Sequence, residues 1–338
     1  MRSYQLVAAE QIELREVPTP EPEAGEVRVR VQACSICSRT DIVYYLYCGI
    51  KAHCHPGHFG HEVAGIVDKV GHGVTHWREG DRVFLRHPSR AGGFSEYVIA
   101  RDPAIGRLPD HMSFIEGAPC QQVPIAVNAT RTLQAWDNVA IIGQGSAGLQ
   151  ILQMARLRGA AKIVVADLYD ARLKIAQQLG ADVLIDTSQQ DAVAEIRKVF
   201  PNGPDVVYDA VGIGSVAQQC IDAVRNEGIV CIFGTHHVDN EVTLNLLQWE
   251  YKALTIHMAN EGSEHTAREA MRIAERLLAN RLIDTKPYIT HVFDLEDLPK
   301  AIDLLKVSPI LYQEGDPRGQ GMPAKEALKV VIRIGEEA

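Results

Sequence analysis

Residues 139–167, VAIIGQGSAGLQILQMARLRGAAKIVVAD, contain the pattern that decides the fold of this 338-residue chain. A short apolar run is followed by Gly-x-Gly-x-x-Gly, an amphipathic segment, and a second apolar run that ends in aspartate. Strand, glycine-rich turn and helix in this order bind a dinucleotide, because the free N–H groups and the dipole of the helix N-terminus attract its pyrophosphate. The flanking elements and the aspartate favour this reading over a fortuitous glycine-rich turn.

Each glycine of the motif has its own task. Gly143 permits the tight turn, Gly145 lets the backbone approach the pyrophosphate, and Gly148 lets the helix pack closely on the strand. We expect the cofactor phosphates to be bound by Gly143, Gln144, Gly145, Ser146, Ala147 and Gly148. Asp167 lies 24 residues after Gly143, where its carboxylate can accept hydrogen bonds from a ribose diol. Its charge would repel a 2′-phosphate, so NAD is favoured over NADP.

Strand-like and helix-like segments alternate from residue 139 onward. Apolar runs typical of buried strands lie at 139–142, 163–166, 183–185, 205–209, 229–233 and 253–258. Helical patterns lie at 146–158, 170–179, 190–199 and 213–224. This alternation predicts α/β architecture with a doubly wound parallel sheet of six strands. Val211 and Gly234 follow two of these strands, at the carboxyl edge where ligands bind, and we expect them to bind the cofactor together with Arg172. Asp170 is expected to cap its helix and Gly180 to end it.

Length and composition limit the classes of protein to consider. A chain of 338 residues suits two domains, and its formal charge of −9 argues against a nucleic-acid or anionic-membrane partner. No apolar run approaches the roughly 18 residues of a membrane span. Residues 1–17 lack the apolar core of a signal peptide. Seven cysteines, an odd number, then indicate reduced thiols and a cytoplasmic protein.

Cysteine, histidine and acidic residues are concentrated in residues 34–62, CSICSRTDIVYYLYCGIKAHCHPGHFGHE. Thiolate, imidazole and carboxylate are the ligands of zinc. Three interpretations remain open on spacing alone. The first is an open catalytic site from Cys37, His61 and Glu62, with further ligands from elsewhere. The second is thiols that bind no metal. The third is a closed, all-cysteine site from Cys34, Cys37, Cys48 and Cys54.

Four motifs in order make the chain resemble the zinc-dependent medium-chain dehydrogenase/reductase superfamily of alcohol and polyol dehydrogenases, and its sorbitol-dehydrogenase-like members in particular. They are Ile36-Cys37…Thr40-Asp41, Gly60-His61-Glu62-x-x-Gly65, Gly80-Asp81-Arg82-Val83, and the glycine motif with Asp167. The resemblance covers nearly the whole chain. It implies a mostly-β, GroES-like catalytic domain from residues 1–122 and 264–338, and a six-stranded NAD-binding Rossmann domain from residues 123–263.

The resemblance also assigns roles to single residues. It implies that Cys37 and His61 bind a catalytic zinc and that Glu62 is a ligand, or a carboxylate that enters and leaves the coordination shell. Asp41 corresponds to the carboxylate that orients the histidine ligand. Thr40 corresponds to the residue that passes the substrate's proton to solvent. The substrate pocket is expected to include Tyr44 and Tyr45.

The sequence departs from the family pattern at several positions. One extra residue separates Cys37 from Thr40, and Val43 stands where the family has a proton-relay histidine. Gln121 occupies the position of a glutamate ligand, where it could bind through its carbonyl, through water or not at all; the adjacent Cys120 is a rival ligand. Residues 84–94 are short and contain no cysteine, so the resemblance predicts one catalytic zinc and no structural zinc.

The resemblance implies a zinc-dependent oxidoreductase that transfers a hydride between a secondary alcohol and NAD. The substrate would be a small polyol, sugar or amino-sugar-like molecule. One alternative is a zinc-independent quinone- or enone-type reductase on the same fold, and another is a dinucleotide-binding protein that is not an enzyme. The apolar segment 253–258 resembles an edge strand that pairs between subunits in this superfamily, which implies a homodimer or homotetramer.

Overall fold

The computed structural model of the protein describes residues 1–50, 59–234, 241–260, 263–306 and 327–335. Cys54, one member of the all-cysteine interpretation, lies outside the described residues. The chain divides into two compact units, Met1–Pro124 with Gly262–Ala338, and Ile125–Glu261. None of the helices in the described ranges combines the length and apolar character that a membrane crossing requires.

Strands and helices are numbered here in chain order. The strands are β1 Arg2–Ala8, β2 Gln11–Glu16, β3 Glu26–Ile36, β4 Glu62–Val70, β5 Arg82–Leu85, β6 Tyr97–Arg101, β7 Ile105–Arg107, β8 Asn138–Ile142, β9 Lys162–Asp167, β10 Val183–Asp186, β11 Val206–Asp209, β12 Ile229–Ile232, β13 Thr255–Met258, β14 Ile289–Asp294 and β15 Lys329–Arg333. The α-helices are α1 Thr40–Tyr47, α2 Phe114–Gly117, α3 Val123–Ala129, α4 Ser146–Leu157, α5 Asp170–Gln178, α6 Ala192–Val199, α7 Gly214–Ala223, α8 Leu246–Lys252, α9 Glu264–Ala279 and α10 Leu298–Leu305.

The first unit is mostly β, as the sequence predicts. Its main sheet has the order β14-β15-β3-β4-β5-β7, with β6 pairing to β3 outside that path, and β1 and β2 form a separate antiparallel pair. Valines alternate along β3, and Val27, Val29 and Val31 are buried. As far as Val31, one face of the strand thus packs into the core while Arg28 and Arg30 lie on the other, as in an antiparallel sheet. From Gln32 to Ile36 every residue is buried.

Register in this sheet brings three strand ends together. Strand β3 runs antiparallel to both β15 and β4, with Ile36 opposite Val330 and Ser35 opposite Glu62. Antiparallel neighbours begin where their partner ends. The end of β3, which leads into Cys37, therefore lies beside the starts of β4 and β15. Residues far apart in sequence meet at this edge.

The second unit is the predicted doubly wound sheet. Its six parallel strands have the order β10-β9-β8-β11-β12-β13, and the direction of winding reverses between β8 and β11. Ligands bind in open α/β sheets at this reversal point. Fully buried apolar side chains from strands and helices form its core, among them Ala140, Val164, Ile196, Val207, Ile221 and Val230.

Three local features differ from or extend the prediction. Asp170 is not the cap of α5; Tyr169 precedes the helix, and Asp170 forms an ion pair with Lys174 at 2.7 Å instead. Helix α8 was not foreseen, and Ala253, which follows its last residue Lys252, has φ of +51°. That left-handed residue explains why the last strand starts at Thr255 rather than two residues earlier. Gly180, with φ of +102°, follows α5 as predicted.

Candidate metal centre and cofactor loop

The ligand atoms of Cys37, His61 and Glu62 all lie within 4.8 Å of one another. Thiolate, imidazole and carboxylate together suit zinc, and three protein ligands are the number that a catalytic zinc site uses. Neither Cys34 nor Cys48 belongs to this cluster within the described ranges. The arrangement has the donor set of the open-site interpretation.

Asp41, in the first turn of α1, connects two of these residues. One carboxylate oxygen accepts a hydrogen bond from the backbone N–H of Cys37 at 2.8 Å. The other accepts from the backbone N–H of Gly60 at 2.9 Å and lies 3.2 Å from Nδ1 of His61. A histidine whose Nδ1 faces a carboxylate keeps Nε2 as its free donor to a metal. Asp41 therefore fixes both the position of Cys37 and the orientation of His61.

Gly60 is required by the local geometry. Its φ is +78°, and a Cβ at this position would lie 2.8 Å from both Cδ2 and the backbone nitrogen of Phe94. Only glycine combines this backbone conformation with such a close approach. The turn that presents His61 to the site depends on this residue.

Electrostatic coupling shifts the pKa values of Cys37 and His61 in opposite directions. Burial alone would raise the pKa of the Cys37 thiol, but the hydrogen bond and charge of His61 outweigh it, and the pKa is lowered. Burial would lower the pKa of His61, yet the charge of Asp41 and hydrogen bonds to Asp41 and Cys37 raise it well above its ordinary value. The lowered pKa moves Cys37 toward the thiolate, which is the form that binds metals.

Glu62 is fully buried and accepts hydrogen bonds from three side chains. Lys329 Nζ lies 2.8 Å from Oε2 and 2.9 Å from Oε1 of Glu62. Gln122 Nε2 donates to Oε1 at 3.2 Å, and the Ser35 hydroxyl donates to Oε2. The sequence singles out Gln122, with Cys120 and Gln121, as polar groups that need partners or face the metal, but it does not indicate Ser35 or Lys329. Only the pairing of β15 with β3 reveals Lys329, because it lies 267 residues from Glu62 in the chain.

Gln121 and Cys120, the two rival ligands, have different surroundings. Gln121 Nε2 donates to the backbone carbonyl of Arg86 at 2.8 Å, so its carbonyl oxygen is the end left for another partner. The Cys120 thiol is fully buried and donates to the carbonyl of Glu116 at 3.4 Å. Burial raises the pKa of this thiol far above its ordinary value. Cys120 therefore has the surroundings of a core thiol rather than of a metal ligand.

Helix α1 carries the predicted proton-transfer and pocket residues. Thr40 begins the helix, and its backbone N–H faces Cys37 Sγ at 3.4 Å. Tyr44 is half-buried. Tyr45 is buried, and its hydroxyl donates to the carbonyl of Glu10 at 2.9 Å. The hydroxyl of Tyr45 is therefore engaged in a structural contact within the first unit.

The glycine-rich loop has the backbone geometry that its sequence predicts. Gly143 has φ of +96°, and a Cβ on Gly148 would lie 1.9 Å from the carbonyl oxygen of Gly143. Both positions therefore require glycine. At Gly145, by contrast, an added Cβ would meet nothing within 4 Å. This glycine immediately precedes α4 and leaves open space at the helix N-terminus, where a phosphate would bind.

Asp167 ends β9 and supports the loop from behind. Its carboxylate accepts from the backbone N–H of Gln144 at 2.6 Å and of Tyr169 at 2.9 Å. The Arg172 guanidinium lies 3.9 Å from the carboxylate and 4.6 Å from the centre of the Tyr169 ring. Burial raises the pKa of Asp167, opposed by the charge of Arg172. The acid thus supports the backbone of the glycine-rich loop at Gln144.

Two further strand ends complete this surface. A Cβ on Gly143 would lie 2.6 Å from Val211 Cγ2, and one on Gly234 would lie 2.1 Å from the backbone nitrogen of Gly212. Asp209 stabilises the second turn by accepting from the N–H groups of Val211 and Gly212, both at 2.9 Å. The ends of β8, β11 and β12 therefore bring Gly143, Val211 and Gly234 together at the carboxyl edge of the sheet.

Comparison with known proteins agrees with this fold. The family described as "Zinc-binding dehydrogenase" matches residues 147–276, and the "Alcohol dehydrogenase GroES-like domain" matches residues 23–110. An L-idonate 5-dehydrogenase of Vitis vinifera is 30% identical over 315 residues, covering 82% of this chain and 84% of that protein. A sorbitol dehydrogenase of Bacillus subtilis (strain 168) is 29% identical over 324 residues, covering 87% and 90%.

The crystal structure of 2R,3R-butanediol dehydrogenase from Bacillus subtilis has the same fold. It superposes with a TM-score of 0.79 at 24% identity, covering 98% of this chain and 99% of that one. The chain belongs to the zinc-dependent medium-chain dehydrogenase/reductase family of alcohol and polyol dehydrogenases. It is therefore an oxidoreductase of the family that uses zinc and NAD(H), and the predicted GroES-like and Rossmann folds are confirmed.

Proposed function

We propose that this enzyme oxidises secondary alcohols of the polyol, sugar or amino-sugar class, or reduces the matching ketones, with one catalytic zinc and NAD(H). The observation that carries the proposal is the cluster of Cys37, His61 and Glu62, with Asp41 bonded to the first two. The names of the sorbitol and idonate dehydrogenase relatives support the substrate class.

The residues present fit a zinc ion. Cys37 and His61 would hold it, and Glu62, Gln121 or water would complete the set of ligands. Bound zinc supplies a Lewis acid that lowers the pKa of a substrate hydroxyl, and bound NAD supplies the hydride acceptor. Asp41 keeps the imidazole of His61 oriented throughout, because it accepts from Nδ1.

Thr40 would receive the proton that leaves the substrate hydroxyl. It is half-buried at the start of α1 and adjoins Cys37, so a hydroxyl here can exchange protons with water. Val43, which replaces the family's relay histidine, is fully buried and apolar. We therefore infer that the proton passes from Thr40 directly to solvent rather than through a second side chain on α1.

NAD, rather than NADP, would bind the loop from Gly143 to Gly148. The positive end of α4 would face the pyrophosphate, and Gly145 leaves the room for it. Asp167 would accept hydrogen bonds from the ribose diol, and its charge would oppose a 2′-phosphate. Arg172, Val211 and Gly234 would line the rest of the cofactor surface.

We also propose that the protein has no structural zinc. Residues 84–94 contain no cysteine, and an ion-pair cluster holds this segment instead. Arg90 donates to the buried carboxylate of Glu26, which also accepts from Arg101 at 2.8 Å. Because Arg90 attaches the loop to Glu26 at the start of β3, and Glu26 in turn binds Arg101 of β6, the loop would keep its shape without a metal.

A homodimer or homotetramer fits the edge of the second unit's sheet. Strand β13 is the last strand of the sheet, with Met258 exposed. The preceding helix α8 exposes Leu246, Leu247 and Tyr251. Pairing with a second copy of this chain would bury this surface.

The six cysteines of the described ranges are free and buried, which agrees with a reducing, cytoplasmic setting.

The test is metal content together with activity. Purified protein should contain about one zinc per chain and should reduce NAD in the presence of a polyol such as sorbitol, L-idonate or a butanediol. Cys37→Ala should lose both the zinc and the activity. Cys34→Ala is the matched control, because it removes a buried thiol outside the ligand cluster. Turnover that persists in Cys37→Ala would instead support the zinc-independent reductase, and absence of turnover with any alcohol would support the non-enzymatic alternative.

A further inference from the structure

Lys329 is a buried lysine with one carboxylate partner at the candidate metal site. Its side chain is 1% exposed, and its ammonium donates to both oxygens of Glu62, which is fully buried. A charged lysine in the protein interior is costly unless it is paired and hydrogen-bonded. The two charges therefore require each other, and the pair lies at the junction of β15, β3 and β4.

The Glu62 carboxylate is saturated in this arrangement. It accepts two hydrogen bonds from Lys329, one from Gln122 and one from Ser35. A carboxylate has about four lone-pair positions for such bonds. Coordination of a metal by Glu62 would therefore displace at least one of these donors. Lys329 is the only charged one of the three, so it is the strongest competitor for the carboxylate.

We propose that Lys329 is a positioning residue that withholds Glu62 from the metal and so keeps one coordination position open for the substrate. The inference rests on the proposed zinc enzyme and extends it to a residue of the last strand. It accounts for a buried lysine whose described side-chain hydrogen bonds both go to the Glu62 carboxylate. In a purely structural role, Lys329 would only stabilise the sheet.

The direct test is the rate at which zinc leaves the protein. In Lys329→Met, Glu62 loses its counter-ion and should bind the zinc persistently. Zinc transfer from the loaded variant to a colorimetric chelator should then be slower than in the wild type by about tenfold or more, the size of effect found for groups that support metal ligands. Transfer that is equally fast, or faster, in the variant overturns the proposal.

Substitution by cobalt gives an independent readout. The visible absorption of protein-bound Co²⁺ reports the number and type of its ligands, so Lys329→Met should shift this spectrum. Lys329→Arg keeps a cationic donor to Glu62 and should retain the wild-type spectrum. Gln122→Leu, which removes a neutral donor, should change zinc transfer far less than Lys329→Met. An unchanged spectrum in Lys329→Met overturns the proposal.

A double variant separates positioning from folding. Glu62→Gln with Lys329→Met removes both charges, so it leaves no unpaired ion in the interior. If Lys329 acts through Glu62, this double variant and Glu62→Gln alone should release zinc at the same rate. A Lys329→Met effect that persists undiminished in the Glu62→Gln background overturns the proposal. Failure of the wild type to bind zinc or cobalt overturns the zinc enzyme itself, and with it this inference.

Discussion

A single carboxylate, that of Asp41, connects the two metal ligands on which the proposed chemistry depends. It accepts from the backbone of Cys37, from the backbone of Gly60 and faces Nδ1 of His61. The carboxylate is fully buried, so solvent cannot replace any of these bonds. Asp41 therefore determines the geometry of the site although it does not belong to the ligand cluster.

Substitution of Asp41 by asparagine is expected to weaken zinc binding by about 10- to 100-fold. Asparagine has nearly the same shape as aspartate. Its NH₂ group, however, would face N–H donors that bond to a carboxylate oxygen in the wild type, so those bonds would be lost. Competition between the protein and a chelator of known affinity measures the change. Asp68→Asn, on β4 and paired with Arg28 at 2.6 Å, is the control and should leave zinc affinity intact. Equal affinity in wild type and Asp41→Asn would contradict this role.

We expect the negative charge of Asp167 to determine the preference for NAD over NADP. Asp167→Asn should reduce the preference for NAD over NADP, measured as the ratio of kcat/KM values, by about tenfold or more, because like charges brought together cost several kcal/mol. The amide oxygen can still accept one of the two backbone N–H bonds, so the loop should persist. A ratio that does not move would show that the acid serves only to support Gln144.

At the scale of elements, two glycines of the loop have different tasks: Gly148 is needed for close packing, and Gly145 leaves space for a ligand. A Cβ added to Gly148 would collide with the Gly143 carbonyl, whereas one added to Gly145 would meet nothing within 4 Å. The two glycines have similar sequence contexts, but they should respond differently to the same substitution.

Gly148→Ala should lower the free energy of unfolding by about 1–3 kcal/mol, because the methyl group overlaps the Gly143 carbonyl. Gly145→Ala should leave stability within about 0.5 kcal/mol yet weaken NAD binding, because the methyl group occupies the phosphate space. Urea unfolding and NADH fluorescence titration measure the two effects. Equal losses of stability in both variants would argue against this division.

Glu26, at the start of β3, gives the loop of residues 84–94 a pH-dependent attachment. Burial alone would raise the pKa of Glu26, but bonds from the backbone of Glu23 and from Arg101 and Arg90 outweigh it and lower the pKa. An acid with a lowered pKa in the folded state stabilises the fold above its ordinary pKa of about 4.5, and this stabilisation is lost as the pH falls through the folded-state pKa.

The stability difference between wild type and Glu26→Gln should consequently shrink on acidification. We expect wild type to be more stable near pH 7 and the difference to decrease below about pH 4.5. Denaturant unfolding at several pH values checks this. A difference that stays constant across the range would exclude the ion-pair cluster as its source.

Features that involve residues close together in the sequence could be predicted, whereas contacts between residues far apart in the sequence could not. The six parallel strands and Gly143-x-Gly145-x-x-Gly148 are local patterns, so their prediction was accurate to within a few residues. Lys329 could not be foreseen as a partner of Glu62, because only the pairing of β15 with β3 brings it there. Helix α8 was missed, since its exposed apolar residues obscure the usual amphipathic period.

For the whole molecule, the proposed association of two chains involves β13, the edge strand of the second unit's sheet. Tyr251 is 78% exposed, and Met258 is 53% exposed on the edge strand. A charged side chain there would be buried without a partner in a paired edge.

Met258→Lys should reduce the mass observed by analytical ultracentrifugation to that of a single chain, or should weaken association strongly. Leu157→Lys is the control. Leu157 is 42% exposed on α4, the helix after β8, and β11 and β12 separate β8 from β13 in the sheet. A mass that is the same in wild type and Met258→Lys would place the interface on another surface.

The most direct test of the central claim is metal removal and reconstitution of the wild-type enzyme, followed by NAD-dependent oxidation of a polyol. Activity should disappear when a chelator removes the zinc and return when about one equivalent of zinc is added, whereas Cys37→Ala should remain inactive after the same treatment. Full activity in protein shown to be free of metal would contradict a Cys37–His61 zinc centre as the basis of catalysis.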